Sequence, residues 1–289
     1  MFDKYESMMV IVPHQDDEVL MAAGVIRSAV KRKARVEVVM VTNGDYGCSD
    51  FSAGRERLYE SLKGLKILGL SGEHFHILGY ADTGMPAEES FLTHLYDEQD
   101  EAKIWPSFCS EETYGLEEKE EYHKQVSGTH GSYCRRDLKK DIKSVIKEKH
   151  CECILTTDPS DLHGDHSALY FFVCEILKEL REENGYDPDL FTGVIHSNAG
   201  DEIWPERAGA YFTCPPDFEK ATGRKWTEAL HVPVPEEMLF SQGEANLKLR
   251  ALKAYERALE PSAYDFLMSF VKEEEIFFSQ KRRKHHESE

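Results

Sequence analysis

Met8-Met9-Val10-Ile11-Val12-Pro13, followed at once by His14-Gln15-Asp16-Asp17-Glu18, is the stretch that decides the fold. The apolar run is short and unbroken. Its length suits a strand, and its lack of alternation predicts one covered on both faces. Beyond Glu18 the spacing changes. Val19, Ala22, Ala23, Ile26, Ala29 and Val30 recur every three or four residues, which predicts a helix. Lys31-Arg32-Lys33 suits its C-terminal end, where the helix dipole favours cations.

The same alternation continues along the chain. Val36 to Val41 reads as a buried strand, and Arg55 to Leu68 as a helix with Gly69 as its C-cap. Phe75 to Leu78 reads as a strand and Asp137 to Lys149 as a helix with Leu138, Ile142, Val145 and Ile146 on one face. Cys153 to Thr157 reads as a strand, Ser167 to Arg181 as a long apolar helix, and Val194-Ile195-His196 as a further strand. Strand and helix in alternation predict parallel βαβ units. The expected fold is therefore α/β, an open, mostly parallel, Rossmann-like sheet with helices on both faces. Ligands of such sheets sit beyond the carboxyl ends of the strands.

Two segments interrupt the pattern. Residues from about 86 to 133 are polar and acidic, and too long for an ordinary loop. They also carry Trp105, Phe108, Tyr114 and Tyr122, so they read as an insertion packed on the sheet. Residues from about 201 to 235 are irregular and Pro-rich. The expected organisation is one domain over 1–289 with an added segment. The basic tail Lys281 to His286 reads as a frayed end.

Composition narrows the function. Lys and Arg number 35 against 54 Asp and Glu, a net charge of −19 in 289 residues. That balance opposes nucleic acid or an anionic membrane as partner, because phosphates need clustered Lys and Arg. Mean hydropathy is −0.53 and no apolar run approaches the length of a membrane span. The N-terminus lacks the pattern of a secretory signal, and the seven cysteines are scattered with no Cys-x-x-Cys, so a reduced, cytoplasmic protein is expected. A small-molecule substrate fits; a homo-oligomer is left open. No Gly-x-Ser-x-Gly elbow and no phosphate-cradling glycine loop occurs.

The chemistry lies in two motifs. In His14-Gln15-Asp16-Asp17-Glu18, an imidazole and three carboxylates lie within five positions after a buried strand. Like charges so close repel unless a cation or proton compensates. Acidic residues favoured at a helix N-terminus account for Asp17 and Glu18 but not for His14. Asp158-Pro159-Ser160-Asp161-Leu162-His163-Gly164-Asp165-His166 also follows a strand and opens a helix. Alone it reads equally as a capping segment, with Asp165 or Ser167 as cap. Together the motifs supply a metal site. His14, Asp17 and His166 give two imidazoles and a carboxylate, leaving a position for water on a zinc ion. The same donors would hold Fe2+ or Co2+. Asp16 is placed to take a proton from that water, His163 to stabilise an oxyanion or protonate a leaving amine, and Asp165 to orient an imidazole.

These motifs resemble the LmbE / PIG-L family of zinc-dependent N-acetylglucosamine deacetylases. That family carries His-Pro-Asp-Asp-Glu after its first strand and a later His-x-Asp-His. The resemblance spans about residues 8–85 and 137–200, with a weaker echo in the helix from Lys248 to Tyr255. It implies zinc ligands His14, Asp17 and His166, Asp16 as general base, and His163 assisting the tetrahedral intermediate. Arg57-Leu58-Tyr59-Glu60 and Leu78 to Met85 are similar to family segments that line the sugar site, which nominates Arg57 and Asp82. Three positions depart from the pattern: Gln15 stands for proline, Asp161 where some members have tyrosine, and Tyr255-Glu256-Arg257-Ala258 for a His-x-Ser-Gln segment. The implied function is removal of an acetyl group from an N-acetylated amino sugar or its glycoside. A hydrolase or transferase of another amide or carbamoyl group, and a non-catalytic metal- or sugar-binding member, are the competing readings.

Overall fold

The computed structural model describes residues 1–259 and 261–280. In chain order the principal elements are β1 (Ser7–Val12), α1 (Asp17–Arg32), β2 (Arg35–Thr42), α2 (Ser52–Leu68), β3 (Phe75–Tyr80), α3 (Phe91–Asp97), α4 (Tyr122–Ser127) and α5 (Arg135–Lys149). There follow β4 (Cys153–Thr157), α6 (Gly164–Asn184), β5 (Asp189–Gly193), α7 (Phe218–Thr222), β6 (Leu230–Pro233), α8 (Leu247–Leu252), α9 (Pro261–Ser269) and β7 (Glu274–Ser279).

One seven-stranded sheet has the order β3-β2-β1-β4-β5-β7-β6. The first five strands are parallel, and β7 runs antiparallel to both β5 and β6. The expected α/β architecture with a mostly parallel sheet is therefore the observed one. From β1 the chain winds outward to β2 and β3, and from β4 outward to β5. Strand order thus reverses between β1 and β4, where an open α/β sheet forms its ligand crevice. Both chemical motifs leave the sheet at that point.

The continuous apolar reading of β1 is explained by two cores. Met8, Val10 and Val12 pack in one, beneath α1, α2 and α8; Met9 and Ile11 pack in the other, beneath α3, α5 and α6. Both faces are covered, so no polar alternation is needed.

Helix α1 is broken at Ala22 (φ −136°, ψ 16°). The break frees backbone groups that are buried and need partners. Glu275 on β7 accepts from Gly24 N (2.7 Å) and Val25 N (3.0 Å). Lys248 on α8 donates to Leu20 O (2.8 Å) and to Glu275 Oε1 (3.3 Å). A buried ion pair thus splices the break and holds the first turns of α1 at their own angle.

Two local expectations change. The last parallel strand ends at Gly193, so Val194-Ile195-His196 is the loop beyond it. Asp161 explains the switch: its Oδ2 accepts from Ile195 N (2.9 Å) and His196 N (3.1 Å), drawing that backbone off the ladder. Residues 201–235 contain α7 and edge strand β6 besides irregular chain. Residues 86–133 supply α3 and α4, with Phe91, Leu92, Leu95 and Tyr122 in the core beside α6. The tail from Lys281 to His286 lies outside the described residues. Among the described residues, no helix is long and apolar enough to cross a membrane.

Candidate metal centre and cleft

Asp16 caps α1 with φ 106°, a conformation that a residue bearing a Cβ adopts only at a cost of about 1–3 kcal/mol. Glu18 holds it there. Its Oε2 accepts from Asp16 N (3.0 Å), while its Oε1 accepts from the buried Tyr255 hydroxyl (2.7 Å). The turn sends the Asp16 carbonyl toward Val19 N and Leu20 N (both 2.8 Å) and leaves its carboxylate in the cleft. Asp17 Oδ2 accepts from His14 N (2.9 Å), closing the loop on itself.

The second motif begins α6. His163 is the N-cap, its Nδ1 accepting from Asp165 N (3.2 Å). Neither Asp165 nor Ser167 caps the helix, because Asp165 is turned inward. Its Oδ2 lies 3.0 Å from His14 Nε2, and its Oδ1 accepts from Ser90 Oγ (2.5 Å) and Leu92 N (2.8 Å). Asp161 Oδ2 lies 3.1 Å from His166 Nδ1, and its Oδ1 accepts from His163 N (3.1 Å).

These contacts bring three donor atoms together. His14 Nδ1 and His166 Nε2 are 3.2 Å apart, and Asp17 Oδ2 is 3.4 Å from the first and 3.3 Å from the second. Donors about 2.0–2.1 Å from a tetrahedral ion stand about 3.3–3.4 Å apart, so the triangle has the size of one face of such a site. The far nitrogen of each imidazole faces a carboxylate, which only accepts hydrogen bonds. Both near nitrogens are then lone pairs aimed at the same point as Asp17. Three converging lone pairs in a buried site call for a cation, and two nitrogens with one carboxylate suit Zn2+ or Fe2+. His163 also brings a ring nitrogen within 4.8 Å of His14 and His166.

The electrostatics without an ion express the same demand. Burial opposes charge on His14, but Asp165 and Asp17 outweigh it and raise its pKa to about 9. Burial likewise opposes charge on His166, yet Asp17 and Asp161 raise it well above the imidazole range. Burial would raise Asp17, but the two imidazoles hold it well below the carboxylate range. Asp16 goes the other way: burial, then the charge of Asp17, push it to about 8 despite Arg57. Burial among His14, His166 and His196 strongly lowers His163 and keeps it neutral.

A family model described as PIG-L: GlcNAc-PI de-N-acetylase matches residues 9–177, more than half of the chain and both motifs. The chain belongs to the PIG-L family. No curated protein sequence matches it. Among solved structures, the N,N'-diacetylchitobiose deacetylase of Pyrococcus horikoshii aligns at 14% identity with a TM-score of 0.54, covering 96% of this chain and 85% of that one. A deacetylase of the teicoplanin biosynthesis pathway aligns at 15% identity and TM-score 0.58, covering 96% and 99%. The 4-carboxy-2-hydroxymuconate hydratase GalB of Pseudomonas putida aligns at 12% identity and TM-score 0.54, covering 98% and 99%. At these identities the likeness is one of fold, and a fold that carries a hydratase as well as deacetylases does not name a reaction.

In this PIG-L chain, His14, Asp16 and Asp17 of the first motif and His163 of the second line a cleft of about 420 Å³. Arg57 and Asp82, nominated from the sequence, both line it. Arg57 reaches from α2 to Gln15 O (3.0 Å), Gly44 O (3.2 Å) and the neighbourhood of Asp16 Oδ2 (3.9 Å). Asp82 Oδ2 is 4.0 Å from His14 Nε2. Gln15, in place of proline, turns away from the cleft and donates to Thr42 O (2.7 Å), tying the first motif to the end of β2.

Several residues here were not singled out by sequence reasoning. His196 lines the cleft with Asp201, 2.9 Å from its Nδ1, and Phe266 stacked on its ring. Ala263 and Leu267 line the same cleft, beside Arg257 and Ala258 of the segment already noted as a departure from the family pattern. Asp161, met only as a departure from a tyrosine, orients His166. Its place two residues before His163 was a usable signal; nothing local marks His196 or Phe266.

Proposed function

We propose that this protein is a metal-dependent hydrolase that removes an acetyl group from an N-acetylated amino sugar or its glycoside. The observation that carries the reading is the triangle of His14 Nδ1, Asp17 Oδ2 and His166 Nε2 beside the Asp16 carboxylate in one cleft. His14, Asp17 and His166 would hold the ion, zinc being the reading from the donor set. When bound, the ion supplies Lewis acidity and makes water acidic enough to be deprotonated near neutral pH.

The other residues then take distinct roles. Asp16, held in the cleft by its strained turn and with an affinity for protons raised by burial, receives the proton of the attacking water. His163 accepts a backbone hydrogen bond at Nδ1, so its hydrogen sits on Nε2, where it can donate to the oxyanion of the tetrahedral intermediate. Asp165 and Asp161 fix the tautomers of His14 and His166. Arg57 and Asp82 offer a donor fork and an acceptor to sugar hydroxyls. Proton return from Asp16 to the nitrogen releases acetate and the free amine.

The test is acetate release from a panel of N-acetyl amino sugars and their glycosides by zinc-loaded protein. Turnover that disappears in His166→Ala is expected. Full turnover in that variant refutes the assignment, and stoichiometric zinc with no hydrolysis of any amide supports the non-catalytic reading instead.

A further inference from the structure

A second cleft, of about 390 Å³, opens at the same edge of the sheet. We propose that it is a sugar subsite, holding the uncharged second ring of a glycoside whose acetylated ring lies in the metal cleft; this rests on the deacetylase reading above. The two clefts share a wall. Asp82 and Met85 line the metal cleft, while Thr83 and Glu89 line the second one. Between them Gly84 has φ 138°, and a Cβ there would stand 2.9 Å from Glu89 Oε2 and 3.4 Å from Tyr46 Cε2. Gly84 brings no side chain to this wall, and we place adjoining rings of one molecule on its two sides.

The lining has the chemistry of carbohydrate recognition. Tyr46 and Phe108 are 56% and 53% exposed, with ring centroids 5.7 Å apart at 89°. They form an open aromatic corner. A pyranose presents a C–H face that stacks on such rings and hydroxyls at its edge that a carboxylate such as Glu89 accepts. Among the described residues no Lys or Arg lines this cleft, so a phosphate or other anion has no counter-charge in the lining. Trp105 is floor, not platform: His94 stacks on it at 4.5 Å and the Lys103 ammonium lies 4.1 Å from its centroid.

One carboxylate ties the corner to the metal cleft. Asp45, which precedes Tyr46, accepts from Cys109 Sγ (3.2 Å) and Tyr114 Oη (3.0 Å), and Cys109 follows Phe108. Its other oxygen accepts from Asp82 N (3.0 Å). Both aromatic residues are therefore chain neighbours of groups fixed to one buried side chain. That arrangement orders the subsite before ligand arrives and reduces the entropy lost on binding.

The experiment compares N-acetylglucosamine with N,N'-diacetylchitobiose, by calorimetry or ligand-observed NMR on metal-free protein and, separately, by acetate release from zinc-loaded protein. The two-ring probe should bind about tenfold more tightly. The Tyr46→Ala/Phe108→Ala variant should reduce that preference to less than about twofold, and Phe108→Tyr should keep it. Both rings are more than half exposed, so their truncation leaves the core intact. Equal binding of the two probes to the wild type, or a preference that survives in the double-alanine variant, overturns the subsite. A two-ring preference without acetate from either probe keeps the subsite and removes the deacetylase reading. Acetate from both probes without any preference does the reverse.

Discussion

Asp161→Asn tests how the second motif prepares its metal-facing nitrogen. The carboxylate is buried and fully engaged. Oδ2 faces His166 Nδ1 and accepts from Ile195 N and His196 N, while Oδ1 accepts from His163 N. An asparagine must keep its oxygen at the Oδ2 position, where three hydrogens converge. Its NH2 then confronts the His163 N–H, donor against donor. The tautomer of His166 survives, but the negative charge that raises its basicity is gone. Outer partners of this kind contribute about 10- to 100-fold in metal affinity, or about 1.4–2.7 kcal/mol. The unpaired His163 N–H adds about 1–3 kcal/mol of lost stability. Competition between metal-free protein and a chromophoric zinc chelator measures the first quantity, and urea denaturation the second. Zinc affinity within twofold of wild type would refute the assignment of Asp161 as the partner of a metal ligand.

Three further outcomes are expected. Asp16→Asn should lower kcat by about 10²–10⁴ while zinc content stays stoichiometric, because in the proposed mechanism the residue takes a proton beside the ion site without contributing a ligand; loss of zinc in that variant would make it a ligand. In metal-free protein His14 has a pKa of about 9, so below that pH an ion must displace its proton. His166 is raised as well, so its proton must also leave; zinc affinity should rise at least about tenfold per pH unit from pH 6 to 8, and a flat profile would contradict it. By linkage, the same raised pKa stabilises the metal-free fold fully below about 6.5, a contribution lost as pH climbs through about 9. Lys248→Met should destabilise by about 3–5 kcal/mol, since it strands Glu275 as a buried charge. Adding Glu275→Gln should recover at least about half of that loss, and simple additivity in denaturation midpoints would show that the two are not coupled.

How much of the molecule was legible varied with the range of the interaction. The parallel strands at 8–12, 36–41 and 153–157 were readable because burial on both faces leaves a continuous apolar signature. The strand expected at 194–196 was not, because β5 is amphipathic at its start and the chain leaves the ladder where Asp161 captures two of its N–H groups. Edge strand β6, Leu230-His231-Val232-Pro233, carries little apolar pattern and owes its conformation to pairing with β7. In the site, the residues within each motif were visible as clusters. The pairing of Asp165 with His14, and of Glu18 with Tyr255, spans 151 and 237 positions and has no local trace.

By itself, the −19 charge argues against polyanionic partners, and periodicity and motif spacing determine a parallel α/β chain with donor residues after two of its strands. Those are properties of composition and of neighbours in the chain. Only the tertiary structure decides that β1 and β4 lie side by side at the reversal of strand order, which brings three donor atoms within 3.4 Å of one another. It alone pairs Asp161 with His166 and makes His14 the imidazole that Asp165 orients, and it alone packs the helices of the 86–133 segment in the core beside α6. The physical reason is the same in each case. A hydrogen bond or a donor triangle depends on distance in space, and distance in space is set by packing the whole sheet.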